Sequence, residues 1–259
     1  MAGRWKGRDS EMNRLVRELA LTRDNVLTTN DLLDLGLTPR MIERRVSSGS
    51  LIPILKGSFA LPGTRLTMRG RCRAAAGSVS DRVVVSHASA LALHGLAPDP
   101  WVVHLSGEPG VFRGFNSDRW GSENFGFSVI RHETRCLPPD QITQVNGVRA
   151  TTVERAIRDF ASSARRAQIN KVLTQGEKEA SFCWEKLGAL VASSNGHKGM
   201  GNLRAEIEGF GQAFVDTASD PESDFLLLLR DVHLPMPEVN VTMGSYVLDF
   251  LWRHLNLGV

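Results

Sequence analysis

Apolar residues recur at helical spacing in the first stretch of the chain. Met12, Leu15, Val16 and Leu19 mark one face of a helix over residues 10–22, with Ser10 as its expected cap. The next stretch, "LTTNDLLDLGLTPRMIERRVSSGSLIPILKGSFALPG", breaks into short elements. Thr28 or Thr29 can cap a helix carrying Leu32, Leu33 and Leu35, and Gly36 supplies a tight turn. A second helix starts at Thr38-Pro39, with a hydroxyl at the cap and proline at the first helical position, and stops at Gly49. Ile42 and Val46 face inward, while Arg40, Arg44 and Ser47 lie on the other side with Arg45 and Glu43 beside them. Two strands around Lys56-Gly57 follow as a wing. Short helices about a glycine turn, the second basic on its outer face, form a helix-turn-helix pattern.

The pattern then changes to a mixed one. A helix is predicted over residues 67–79, a short strand over Val83–Val85, a helix after Ser86, and strands at "WVVHLSG" and "FGFSVIRHE". A β-hairpin turns at Asn146-Gly147 and leads to a helix capped by Thr152. Three helical stretches occupy 164–214, separated by glycine and serine breaks such as "SSNGHKGMG". At the end, Phe225, Leu226, Leu228 and Leu229 form an apolar helix after Pro221, and "PEVNVTM" and "SYVLDFLW" alternate as an antiparallel pair around Gly244-Ser245. The expected class is α+β in four parts. These are a winged helix-turn-helix over 1–66, a central mixed α/β domain over 67–163, a helical connector over 164–215, and a C-terminal piece over 216–259.

Charge sharpens this picture. The chain carries +3 overall, but residues 1–75 hold 14 basic and 7 acidic side chains while the remainder is net negative. A basic first third points to a polyanion partner at that end. Arg40, Arg44 and Thr38 are placed to enter the major groove, where arginine reads guanine through two hydrogen bonds. Lys56 and the N-terminal arginines are placed on phosphates, which supply affinity and salt dependence, and Arg45, flanking the arginine face, is also expected to contact DNA. No run of about 18 apolar residues occurs, so no membrane span is expected. The basic N-terminus has no apolar signal core and the three cysteines show no metal-type spacing, so a reduced cytoplasmic setting is expected.

The ordered segments "SHASALALHGL" and "LPPDQITQVNGVRATTVERAIRDFA", with the upstream stretch quoted above, resemble the AbiEi-type antitoxins of type IV toxin–antitoxin systems over residues 10–165. That resemblance implies an autorepressor that binds double-stranded operator DNA and opposes a nucleotidyltransferase-like toxin encoded nearby.

Other residues invite chemistry. His87 and His94 lie seven apart near one helix face, but no third ligand stands at a metal-type spacing, so they are expected to be helix-end or packing histidines and no metal site is expected. The C-terminal run ending "VLDFLW" resembles the very-short-patch-repair-like branch of the PD-(D/E)XK nucleases. It matches Glu222 to the helix glutamate and Asp249 to the central aspartate, as remnant catalytic positions. Such nucleases hold Mg²⁺ through clustered carboxylates. Here the chain stops before the second acidic motif, so the site is expected to be incomplete and no cofactor is expected. The alternative reading is a Mg²⁺-dependent endonuclease whose last strand is absent from this chain. The final strand is expected to be an open edge, covered by a second copy in a homodimer or by the helices of 164–214.

Overall fold

The computed structural model describes residues 2–114, 119–194, 196–215, 225–226, 228–229, 232, 234–243 and 246–259, with only the backbone described for 2–10, 119 and 211–215. The chain forms two compact units, Met1–Thr151 and Thr152–Val259.

The first unit begins with helix α1, Ala2–Thr22, which starts well before the expected residue 10 and leaves Ser10 inside the helix rather than at its cap. Strand β1 (Leu27–Thr28) leads into α2 (Thr29–Asp34). Thr28 is the cap: its hydroxyl accepts from the Asp31 amide at 3.1 Å, and the Asp31 carboxylate accepts from the Thr28 amide at 2.8 Å. Gly36 turns at φ +88°, and α3 (Pro39–Ser47) starts from Thr38, whose hydroxyl accepts from the Met41 amide at 3.3 Å. Strands β2 (Ile52–Leu55) and β3 (Ser58–Ala60) form a hairpin with Lys56-Gly57 at its tip. Together they make an antiparallel sheet in the order β1-β3-β2. Val16, Ala20, Leu27, Leu32, Leu37, Ile42 and Leu51 form the core beneath, with Val46 packed partly against it. Leu33 lies on α2 as expected, and it is exposed.

Helix α4 (Met68–Val79) ties this small sheet to the larger one that follows. Its small residues allow a close approach: a Cβ on Gly77 would meet the Thr28 methyl at 2.9 Å. The half-buried Asp24 accepts from Arg69 and, at 3.2 Å, from Arg73, both on α4. Buried Arg71 meets Asp99 and stacks over the Trp101 ring at 4.4 Å.

The larger sheet has six strands in the order β6-β7-β5-β4-β9-β8. They are β4 (Val84–Val85), β5 (Val102–Gly107), β6 (Arg119–Ser122), β7 (Phe127–Glu133), β8 (Ile142–Val145) and β9 (Val148–Thr151). Helix α5 (His87–Leu93) follows β4. Pairing is mixed: β5–β7 and β4–β9 run parallel, the rest antiparallel. Strand β6 is not predicted by the sequence pattern, because "RWGS" carries no run of alternating apolar residues. The β8–β9 turn has positive φ at both Asn146 and Gly147, as a tight hairpin of this twist requires.

The second unit packs helices α6 (Val153–Ala161), α7 (Arg166–Lys178), α8 (Trp184–Ala192) and α9 (Met200–Val215) against one another. Thr152 caps α6, accepting from the Arg155 amide at 3.4 Å. The loop before α9 passes so close to the end of α6 that a Cβ on Gly199 would sit 1.9 Å from the Ala161 carbonyl oxygen, and Gly199 has φ +85°. Gly199→Ala is therefore expected to cost at least about 2 kcal/mol in urea unfolding, from the left-handed backbone and the overlap together. A change below about 0.5 kcal/mol would mean that this loop relaxes freely.

The C-terminal sheet has β11 (Tyr246–Trp252) between β10 (Glu238–Met243) and β12 (Leu257–Gly258), all antiparallel. Leu226 and Leu229 bury against Phe250 and Trp252, and the Trp252 indole donates to the Pro235 carbonyl at 2.6 Å. The final residues thus pair with β11 and leave β12 as an edge. Residues of α7 and of this sheet, among them Gln175, Lys178, Glu238 and Trp252, line one cleft. Pro221 and Glu222 lie outside the described residues, as does the Gly244-Ser245 turn.

Candidate nucleic-acid interface

Helix α3 holds the predicted contact residues, and its sequence explains their direction. Ile42 is buried and Val46 half-buried, which turns Arg40, Glu43, Arg44 and Ser47 to solvent. Arg40 and Arg44 are four apart, one turn up the same exposed face. Among the described residues, neither is in an ion pair with a carboxylate. Thr38 is exposed at the start of the helix, but its hydroxyl already accepts the Met41 amide. Lys56 is exposed at the tip of the β2–β3 hairpin, where Gly57 at φ +71° allows the two-residue turn.

Arg45 does not join them. It is 7 % exposed, and its guanidinium reaches the Met41 carbonyl at 3.5 Å and the Asn13 side chain at 3.4 Å. Arg45 stands about 60° round the helix from Ile42, at the edge of the inward face, and there its stem runs under α1 and its head anchors α3 to that helix through Asn13. The expected DNA contact at Arg45 is corrected to a structural tie.

The histidines also sort differently from their sequence spacing. His94 turns away, its Nε2 2.9 Å from the Thr151 carbonyl oxygen. His87 instead meets His104 of β5 and His132 of β7, with ring centroids 5.4 and 3.8 Å away. His104 Nδ1 and His132 Nε2 are 2.9 Å apart. Burial, with the neighbouring His132 adding to it, pushes the His104 imidazole down to about 4, so its neutral form prevails at neutral pH. The signal that could have found this trio was the alternation of "VVHLSG" and "SVIRHE". It puts each histidine on a strand face, but only the pairing of β5 with β7 brings them together.

Asp249 is exposed on β11. Glu238, on the neighbouring β10, is engaged by Arg253 at 2.9 Å. Among the described residues, the one group of three ligating side chains close enough to share a metal ion is the histidine trio, which does not include Asp249. Glu222, its expected companion, lies outside the described residues. No helix is long and apolar enough to cross a membrane among the described residues.

Comparison with known proteins agrees with the N-terminal geometry. No curated protein matches the chain. A protein-family model does match, over residues 14–62, which run from within α1 to just beyond β3; the central sheet and residues 216–259 lie outside it. That model is described as transcriptional regulator, AbiEi antitoxin, and the chain accordingly carries an AbiEi antitoxin-type transcriptional regulator domain at its N-terminus.

Proposed function

We propose that this chain is a sequence-specific DNA-binding regulator, an antitoxin-like autorepressor of a type IV toxin–antitoxin operon that acts without catalysis of its own. The observation that carries the reading is the exposed Arg40–Arg44 face of α3, with an exposed Lys56 at the hairpin tip of the same domain, which is of the AbiEi antitoxin type. The order α1-β1-α2-α3-β2-β3, with the sheet order β1-β3-β2, supports a winged helix. In that geometry α3 lies in the major groove with its N-terminal residues on base edges, and the hairpin tip meets the backbone. Arg40 and Arg44 then read guanines and Lys56 holds a phosphate. The partners are double-stranded operator DNA and a nucleotidyltransferase-like toxin encoded nearby, in the cytoplasm. A homodimer through the β12 edge fits the exposure of Leu257 and Val259. The alternative, a Mg²⁺-dependent endonuclease, rests on the resemblance of the C-terminal run around Asp249, which among the described residues belongs to no metal-sized group of side chains.

The test is binding to the DNA upstream of its own gene against random duplex of equal length, over a salt series. Operator affinity is expected to exceed the random value by at least about 10³-fold and to fall linearly in log–log form with salt. Equal affinity for the two duplexes would overturn the reading. Analytical ultracentrifugation of the same mixtures counts the chains on each duplex.

A further inference from the structure

We propose that His87, His104 and His132 form a binding site for a divalent transition-metal ion of the zinc class. The site stands on geometry independent of the DNA-binding reading. Strands β7, β5 and β4 are neighbours in the sheet; β7 and β5 carry His132 and His104, and His87 follows β4 at the start of α5. His132 lies opposite Ser106 in the β5–β7 register, which puts it diagonal to His104 on one face. The chain leaving β4 bonds the Ser86 amide to the His104 carbonyl at 2.9 Å, so the next residue, His87, arrives beside them.

One nitrogen from each of the three rings lies within 4.8 Å of the others. Four-coordinate zinc with nitrogen ligands at about 2.0–2.1 Å requires them about 3.3 Å apart. Binding requires the rings to turn: the 2.9 Å His104–His132 contact opens, and the stacked His87 and His132 rings splay so that their lone pairs converge.

The environment suits that ion. Three imidazoles with no carboxylate in the group favour zinc and its neighbours over magnesium or calcium. His87 is buried and backed by Ser86, whose hydroxyl lies 2.9 Å from His87 Nδ1 and receives the Ser106 hydroxyl at 2.7 Å. A ring nitrogen held by a second polar group is how metal-binding histidines are commonly oriented, and hydrogen on Nδ1 puts the lone pair on Nε2. His104 and His132 are half-buried, which leaves water a route to the fourth position. His87 also holds a left-handed backbone, φ +53°, a conformation uncommon for a residue with a side chain, though histidine adopts it more readily than most. Backbone strain of this kind gathers at ligand sites. The single hydrogen bond between His104 and His132 does not require a third ring to be brought against them on such a backbone.

The experiment is zinc titration of the full chain by calorimetry with a competing chelator, followed by X-ray absorption at the zinc edge. One ion per chain is expected, with three imidazole nitrogens and one oxygen at about 2.0–2.1 Å. His104→Ala and His132→Ala should each weaken binding at least about 100-fold, while His254→Ala, at an exposed position in the other unit, should leave it unchanged. Far-UV circular dichroism checks that the variants fold; if they do not, the wild-type absorption spectrum still decides. Absence of a stoichiometric ion, undiminished binding in both variants, or a shell containing sulfur at about 2.3 Å from the cysteines would each overturn the assignment.

Discussion

Replacing Arg40 and Arg44 together by alanine is expected to lower operator affinity by about 2–6 kcal/mol and to flatten the difference between operator and random duplex. Each arginine that reads a base through two hydrogen bonds is worth about 1–3 kcal/mol of discrimination. Both side chains are exposed, so their removal opens no cavity, and alanine is the best helix former, so α3 should stay intact. Lys56→Ala is the informative contrast. Removing one cation that holds a phosphate at the hairpin tip weakens all duplexes alike and reduces the salt slope by about 0.9. Arg45→Ala should act differently again, through the packing of α3 on α1 rather than through the bases. The measurement is a fluorescence-anisotropy titration at several salt concentrations. A double variant that binds operator as the unaltered chain does would show that α3 is not the reading element.

Asp159→Ala is expected to destabilise the Thr152–Val259 unit by about 3–5 kcal/mol. On α6, the Asp159 carboxylate accepts from Arg155 Nε at 2.9 and 3.0 Å and from Arg158 at 2.7 Å. Arg155 is 5 % exposed and Asp159 7 % exposed, so this cluster is largely out of water. A surface i,i+4 pair contributes only a few tenths of a kcal/mol, but removing one partner of a buried pair leaves a charge that water cannot reach. Arg158 also donates to Ser194 at 3.2 Å, so the carboxylate orients the residue that links α6 to the end of α8. Urea unfolding should show a lower midpoint with an unchanged slope. A loss below about 1 kcal/mol would mean that the cluster is solvated by local opening.

The local elements are largely legible in the sequence because their signals are local. Thr28 and Thr38 cap helices through bonds three residues away, Gly36 and Asn146-Gly147 turn the chain where their backbone freedom is needed, and Ile42 and Val46 sort α3 into two faces. The Arg40–Arg44 face follows from that sorting alone. Arg45 is misplaced by the same logic. Helical spacing puts it near the boundary between the faces, and only the arrival of Asn13 on α1 decides that it turns inward.

What the sequence by itself determined is a capped helix pair with a basic outer face and a hairpin beside it, because periodicity, caps and turns act over a few residues. Only the tertiary structure decided which distant residues meet. It separated His94 from His87 and brought His104 and His132 in their place, because strand order and register set those neighbours. It likewise closed the final residues onto β11, because backbone hydrogen bonds to a distant strand depend on register and carry no signature along the chain.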